Sequence, residues 1–388
     1  MASTSKIEIK KDALENNIRF VESLLEPETR LSAVIKGNAY GHGVNVIIPA
    51  FESLGIDHFH VYSSAEAKAA FPHKSKKSTL VIMGFVYQHD YAWIIENNVE
   101  FYISHIHILQ MAIEAAQKCN KKARIHLNLE TGMNRDGISV RNLKKVAKLI
   151  NENKDHVTVI GTTTHFAGAE SIANHTRVRK QFSTYKKRIK QLYSLGINPG
   201  IKNVASSAAT INYPETRLDM VRVGILLYGY WPSRETFIHY IHRRKDKSDP
   251  LRRAIMWYTE VNLIKKVPEG EFIGYGMSFQ AQHNMITMLA PVGYCNGYSR
   301  SLSNNGRVIV GGQLAPVIGT VNMNMIICDI TNIENVKFGD QVVLIGKQDE
   351  NEISFASFAD MNNSLNYEIL ARLPENIDRT ICEEVEET

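Results

Sequence analysis

Eight short apolar runs, each followed by a stretch with helical periodicity, recur between residues 31 and 229 of this 388-residue chain. They read LSAVIKG (31–37), FHVYS (59–63), TLVIMGF (79–85), EFYIS (100–104), ARIHLNLE (123–130), VTVIGTTTHF (157–166), IKNVAS (201–206) and RVGILLYG (222–229). Between them lie segments such as VRNLKKVAKLINEN and RKQFSTYKKRIKQLYSLG, whose apolar residues return every three or four positions. Strict alternation of strand and helix predicts parallel strands joined by crossover helices. Eight such units are the number that closes a barrel. An open doubly wound sheet would place a Gly-rich phosphate turn after its first strand, and no GxGxxG occurs. The expected fold is therefore α/β, with a (β/α)8 TIM-type barrel over residues 1–235.

The rhythm stops at RETFIHYIHRRKDKSDPLRR (234–253), which is dense in both charges; residues 236–253 read as a solvated polar linker. Beyond it, strand-like runs follow one another without long helices: MWYTEVNLIKKV, FIGYGMSF, MITMLAPVGY, RVIVGG, GTVNMNMIICDI and DQVVLIG. Period-two alternation with Gly, Pro and Asn between the runs predicts a smaller, mostly β C-terminal domain over 254–388.

Several classes of function drop out. Lys and Arg number 45 against 40 Asp and Glu, and a net charge of +5 spread along the chain is not the concentrated basic face of a nucleic-acid binder. No run of about 18 apolar residues is present, so no membrane span is expected. Cys119, Cys295, Cys328 and Cys382 lie far apart with no CxxC, which speaks against a zinc site or disulfide framework and for a reducing cytoplasm. No metal is expected. The N-terminus, MASTSKIEIKK, lacks the apolar core of a signal peptide.

In a βα barrel the active site lies at the C-terminal strand ends. The first run ends in Lys36 and GNAYGHG, the fifth brings Arg135, and the sixth brings His165. The seventh ends in ASSAAT, with Ser206 and Ser207; the eighth brings Arg222 with Gly224 close behind. Desolvation in a barrel mouth lowers a lysine pKa, as a Schiff-base lysine requires. Small residues with free N–H groups at a helix start suit a phosphate. A lysine, a phosphate cradle and a cation in one mouth suggest pyridoxal 5'-phosphate. Taken singly, His165 could be a core residue, Arg222 an ion-pair partner, Ser206 and Ser207 a helix cap, and Tyr275 strand packing. Their ordered occurrence behind Lys36 favours an enzyme.

The segment AVIKGNAYGHG (33–43) resembles the cofactor-lysine signature of the alanine racemase family. The similarity continues in order through LETGMNRDGI, THFAGAE, VRVGILLYG, GYGMSF, GYCNGYSRSLSN, GTVNMNM and NYEILARL. The resemblance implies an isomerase that interconverts L- and D-alanine in the cytoplasm, in D-alanine biosynthesis or breakdown. By position, Lys36 would bind the cofactor covalently and serve as one base, with Tyr275 as the opposing base. Arg135 would contact the substrate carboxylate, and His165 would sit near the cofactor face. Arg222 would face the pyridine nitrogen. Tyr40, Ser207, Tyr367 and the backbone of Gly224 and Ile225 would hold the phosphate. Tyr275, Tyr294 and Met323 would come from a second subunit, which implies a homodimer with shared active sites.

Three positions depart from the family pattern. Asn128 stands where many members have a lysine, often carbamylated; an asparagine carries no negative charge, so an anion is expected beside Asn128 and Arg135. Asn324 replaces a common aspartate after the pocket methionine, and Asn203 a common histidine behind Arg222. These changes put strict alanine specificity in question. The alternatives are a racemase for larger or basic amino acids, a barrel-type decarboxylase, and a non-catalytic cofactor-binding protein. The decarboxylase is disfavoured because that class places a glutamate where Arg222 stands. The binding protein is disfavoured because its relatives are single barrels.

Overall fold

Strand β1 (Lys6–Lys10) opens the chain but not the barrel. The barrel is closed by the next eight strands: β2 (Arg30–Val34), β3 (His58–Val61), β4 (Thr79–Ile82), β5 (Glu100–Ile103), β6 (Ala123–Asn128), β7 (Val157–Thr163), β8 (Ile201–Ser206) and β9 (Met220–Val223). All pair in parallel, and β9 returns to β2 through Leu31–Val221 and Ser32–Arg222. Each expected run overlaps one of these strands. The computed structural model describes residues 3–242, 244–354 and 366–383.

The strands are buried on both faces, as a parallel sheet covered by helices must be; Phe59, Val61, Val81, Phe101, Ile125 and Val221 are fully buried. The outer helices dock by one apolar stripe. Helix Val140–Glu152 buries Leu143, Val146, Ala147 and Ile150, at spacings i, i+3, i+4 and i+7. Each larger apolar side chain buried in this way contributes about 1.5–3 kcal/mol.

Part of the barrel interior is polar. Ser32 Oγ lies 2.8 Å from His58 Nδ1 and 2.7 Å from His60 Nδ1. His60 Nε2 is 3.2 Å from the Tyr102 hydroxyl, which donates to Asn203 Oδ1 at 3.3 Å. Glu100 is held by His126 Nε2 at 2.7 Å and Arg124 at 2.5 Å. Burial pushes the His58 imidazole down to about 3 and His60 well below its ordinary value. An unfolded chain protonates these rings near pH 6.5 while the folded barrel refuses the proton. Stability is therefore lost as pH falls below about 6.5, by about 1.4 kcal/mol per pH unit for each such histidine. The urea midpoint should drop steeply between pH 7 and pH 5, and a flat profile across that interval would contradict the assignment of neutral, buried rings.

A second compact unit is assembled from three separated pieces: the described residues up to Ala13, Asn38–Val46, and those from Arg253 onward. The barrel unit takes Leu14–Gly37 and Ile47–Arg252. After β1, the strands of the second unit are β10 (Ile255–Glu260), β11 (Leu263–Val267), β12 (Met285–Ala290), β13 (Arg307–Val310), β14 (Gln313–Ile318), β15 (Ile326–Asp329), β16 (Gln341–Gln348), β17 (Asn351–Ile353) and β18 (Asp378–Cys382). They form one sheet in the order β11-β12-β15-β14-β13-β16-β10-β1-β18, with β17 paired to β16. Its core includes the fully buried Trp257, Val308, Ile309 and Leu344.

Two boundaries differ from expectation. The division at 1–235 and 254–388 assigned β1 to the barrel, yet β1 pairs antiparallel with β10 and parallel with β18. Its alternating Ile7 and Ile9 are fully buried in that sheet. The expected linker 236–253 starts inside helix Arg234–His242. There Tyr240 packs on Phe20 and Trp231, each with ring centroids 5.2 Å apart, so aromatic anchoring outweighs the charge density of the segment. Among the described residues no helix is long and apolar enough to cross a membrane.

Candidate active site

The barrel unit brings together Lys36, Arg135, His165 and Arg222. Lys36 follows the end of β2, and burial lowers its amine pKa; the charge of Glu66 opposes this, while Arg135 and Arg222 add to it. His165 follows β7. Burial first, then Arg222, Arg135 and Lys36, hold its imidazole at about 3, so it is neutral at working pH. These mutual electrostatic effects place the four side chains in one mouth.

Arg222 projects from β9 and is buried. Its Nη2 donates to the Thr164 carbonyl at 3.0 Å, while Nε is buried with no hydrogen-bond partner among the described residues. A buried N–H left without a partner is costly and calls for an acceptor. A pyridine nitrogen is such an acceptor. Ser207 opens the short helix Ser207–Asn212, and its hydroxyl accepts the Gly224 N–H at 3.0 Å; Ile225 begins the following turn. Amine, unpartnered guanidinium nitrogen and small polar turn together fit pyridoxal phosphate. Asn203 is buried on β8, accepts from Tyr102, and leaves its Nδ2 without a partner among the described residues.

The loop carrying Arg135 is built by Glu130, whose carboxylate accepts the N–H groups of Gly132, Met133 and Asn134, the last two at 2.9 and 3.1 Å. That turn brings Asp136 back onto β6. Asp136 Oδ1 accepts from Arg135 Nε and Oδ2 from Asn128 Nδ2, both at 3.1 Å. A carboxylate of the chain itself therefore lies against both Asn128 and Arg135. Sequence reading missed Asp136, although the signal was present: a carboxylate adjoining Arg135 in MNRDG.

The chain after Lys36 is unusual. Gly37, Asn38, Ala39, Tyr40 and Gly41 all have φ between 51° and 80°. A left-handed turn costs each non-glycine residue roughly 1–2 kcal/mol, and such strain persists where a function requires it. Gly41 is obligatory on a second ground, because a Cβ there would fall 1.9 Å from the Leu370 carbonyl oxygen.

The remaining site residues belong to the other compact unit. Tyr40 and Tyr367 meet there edge to face, with ring centroids 6.5 Å apart. Tyr275, Tyr294, Arg300, Val321, Met323 and Met325 line a cavity of about 410 Å³ on that unit. FIGYGMSF, expected as a strand, is instead a tight turn over Tyr275–Met277, with φ of 76° at both Gly274 and Gly276. Glycines on either side of the tyrosine break the extended pattern and leave Tyr275 75% exposed. Thr320 Oγ1 donates to the Tyr275 carbonyl at 3.3 Å, and Tyr294 N–H donates to the Asn322 carbonyl at 3.0 Å. Asn324 Nδ2 donates to the Cys295 thiol at 2.9 Å.

Residues 9–232 match the family described as alanine racemase, N-terminal domain, and residues 254–381 match alanine racemase, C-terminal domain. Alanine racemase 1 of Caldanaerobacter subterraneus subsp. tengcongensis is 31% identical over 97% of this chain and 94% of that protein. The structure of alanine racemase from Clostridium difficile 630 superposes with a TM-score of 0.90 at 28% identity, covering 99% of this chain and 97% of that one. An alanine racemase from Bartonella henselae, solved with covalently bound pyridoxal phosphate, gives 0.82 at 25% identity over 98% of this chain and all of that one.

Proposed function

Because the chain belongs to the alanine racemase family, we propose that it racemises alanine with pyridoxal phosphate and two bases, Lys36 and Tyr275, working as a cytoplasmic homodimer. The observation that supports this most directly is the convergence of Lys36, Arg135, His165 and Arg222, with Arg222 Nε buried and unpartnered. Lys36, His165, Ser207, Arg222 and the backbone of Gly224 and Ile225 would hold the cofactor, with Tyr40 and Tyr367 as phosphate ligands. When bound, pyridoxal phosphate supplies the electron sink that acidifies the α C–H of an amino acid.

The residues do the rest. Racemisation removes a proton from one face of the α-carbon and returns one to the other, so it needs two acid–base groups on opposite sides. Burial favours the neutral form of the Lys36 amine, the form that accepts a proton at Nζ. Tyr275 Oη supplies the opposing group, and its exposed turn lets it reach the barrel of a partner subunit. Arg135 receives the substrate carboxylate and is held in place by Asp136. Arg222 cannot give up its proton, so its Nε offers a donor and no acceptor. A ring nitrogen that stays unprotonated withdraws fewer electrons, which limits side reactions. The same arginine separates this site from a decarboxylase carrying a glutamate there.

α-Proton exchange in heavy water, followed by NMR with chiral analysis of the product, tests the reading on L-alanine, L-serine, L-lysine, L-arginine and L-glutamate. Exchange with inversion on alanine is the expected result. Inversion of the larger amino acids instead would transfer the assignment to the broad-specificity alternative, and absence of exchange on all five would overturn it.

Asp136 makes a separate prediction. With its own carboxylate on Arg135, the native enzyme needs no solute anion there. Replacing chloride by gluconate should leave KM for alanine unchanged, whereas Asp136→Asn should raise KM about ten-fold, the loss expected when a charge-assisted hydrogen bond to a binding arginine is removed. A chloride-dependent KM in the native protein would contradict this.

A further inference from the structure

Glu66 lies outside every motif that carries the family resemblance, yet its carboxylate has an uncommon set of partners. It sits in the first turn of helix Ser64–Ala70, which is capped by Ser63, whose Oγ accepts the Glu66 N–H at 3.2 Å. Ser63 and Glu66 have the spacing of a capping box, in which the glutamate turns back onto the N–H of the capping residue. Glu66 does something else. Oε2 accepts the N–H of Tyr62 at 2.6 Å, and Oε1 leaves the helix altogether to accept the N–H of Gly37 at 2.9 Å. Gly37 is the residue after Lys36 and the first of the left-handed turn.

We propose that Glu66 is a positioning residue for Lys36: by holding the amides of Gly37 and Tyr62 on one carboxylate, it fixes the backbone that carries the lysine. Three things support this. The backbone N–H of Gly37, at the start of the positive-φ stretch, is accepted by this side chain. Hydrogen bonds to a carboxylate are about twice as strong as neutral ones. The Glu66 charge also acts on Lys36 directly, opposing burial and the two arginines, Arg135 and Arg222; His165 is neutral and adds no charge. The proposal takes its catalytic meaning from the reading of Lys36 as the cofactor lysine. The clamp itself does not depend on that reading.

The test uses the full-length chain before cofactor is added. Backbone hydrogen exchange is measured at Gly37 and Tyr62, and labelling of the Lys36 amine by an acylating reagent is followed against pH by mass spectrometry. In Glu66→Ala both amides should exchange about ten-fold faster or more, the loss expected for a hydrogen bond to a charged group. The labelling midpoint of Lys36 should move to lower pH, because the favourable negative charge is gone. Glu66→Gln keeps one carbonyl oxygen and no charge, so it should keep one amide protected and still shift the midpoint. Ser63→Ala, which removes only the cap, should leave the Lys36 midpoint in place. Unchanged exchange at Gly37 in both Glu66 variants, or an equal midpoint shift in Ser63→Ala, would overturn the proposal. If the clamp is confirmed but added pyridoxal phosphate never gains the visible absorbance of a lysine-bound form, the cofactor reading fails and the clamp stands.

Discussion

Lys36→Ala is expected to lower racemisation by about 10⁴-fold or more and to remove the visible absorbance of protein-bound cofactor at the same time. The side chain is asked to do two things, covalent attachment and proton transfer, and positioned proton transfer alone contributes about 10²–10⁴-fold. Both uses need the neutral amine, which burial favours and which Arg135 and Arg222 favour further. The two losses should therefore not separate. A variant that keeps its activity would remove the basis for the assignment. So would one that loses activity while binding the cofactor with native absorbance. Added methylamine should restore part of the absorbance, since a free amine can condense with the aldehyde, but should restore little turnover, because nothing fixes that amine on one face.

Tyr275→Phe should lower racemisation by about 10²–10⁴-fold, and unequally in kind. The phenolic hydroxyl is the only group removed, and Lys36 remains to exchange the α-proton from its own face. The enantiomer whose α-hydrogen faces Lys36 should go on exchanging that proton with heavy water while the other stops, and neither should invert. Equal loss for both enantiomers would contradict a base on each side. The exposed turn that carries Tyr275 adds a second test. If the tyrosine serves the barrel of the partner subunit, mixing inactive Lys36→Ala with inactive Tyr275→Phe and letting subunits exchange creates one intact site in each mixed dimer. Random reassortment would restore about a quarter of native activity in a symmetric dimer. No recovery after demonstrated subunit exchange would mean that each chain uses its own tyrosine.

The barrel was readable before the structure because buried parallel strands are short, continuous apolar runs, and their ends are where polar residues become conspicuous. LSAVIKG closes on Lys36 and Gly37, and Arg222 stands one residue before the end of β9, for that reason. The β unit was harder to read. β1 is five residues long and takes partners from β10 and β18, hundreds of positions away. β14 exposes three residues, Pro316 among them, so its alternation is weak. FIGYGMSF looked extended because Phe, Ile and Tyr favour strands, but the two glycines around Tyr275 decide the local backbone. Asp136 and Glu66 escaped notice for a different reason. Each acts through hydrogen bonds made across a loop, to Asn128 and Arg135 in one case and to Gly37 and Tyr62 in the other. Charged residues in a loop or at a helix start ordinarily read as solvated surface.

The place of β1 in its sheet also sets an order of events during synthesis. Lys6–Lys10 leaves the ribosome first, β10 follows after some 250 residues, and β18 after some 370. At about 5–20 residues per second, the first strand waits roughly 20–70 s for its last neighbour. Until β10 is made, after roughly 12–50 s at that rate, Ile7 and Ile9 have no sheet to enter, while the chain between them and β10 already contains all eight strands of the barrel. The barrel strands are all made before β10; the β unit cannot be completed until β18 has been made. A slow ribosome or a missing C-terminal strand should therefore leave a folded barrel trailing an unsatisfied apolar strand, the kind of nascent chain that chaperones hold.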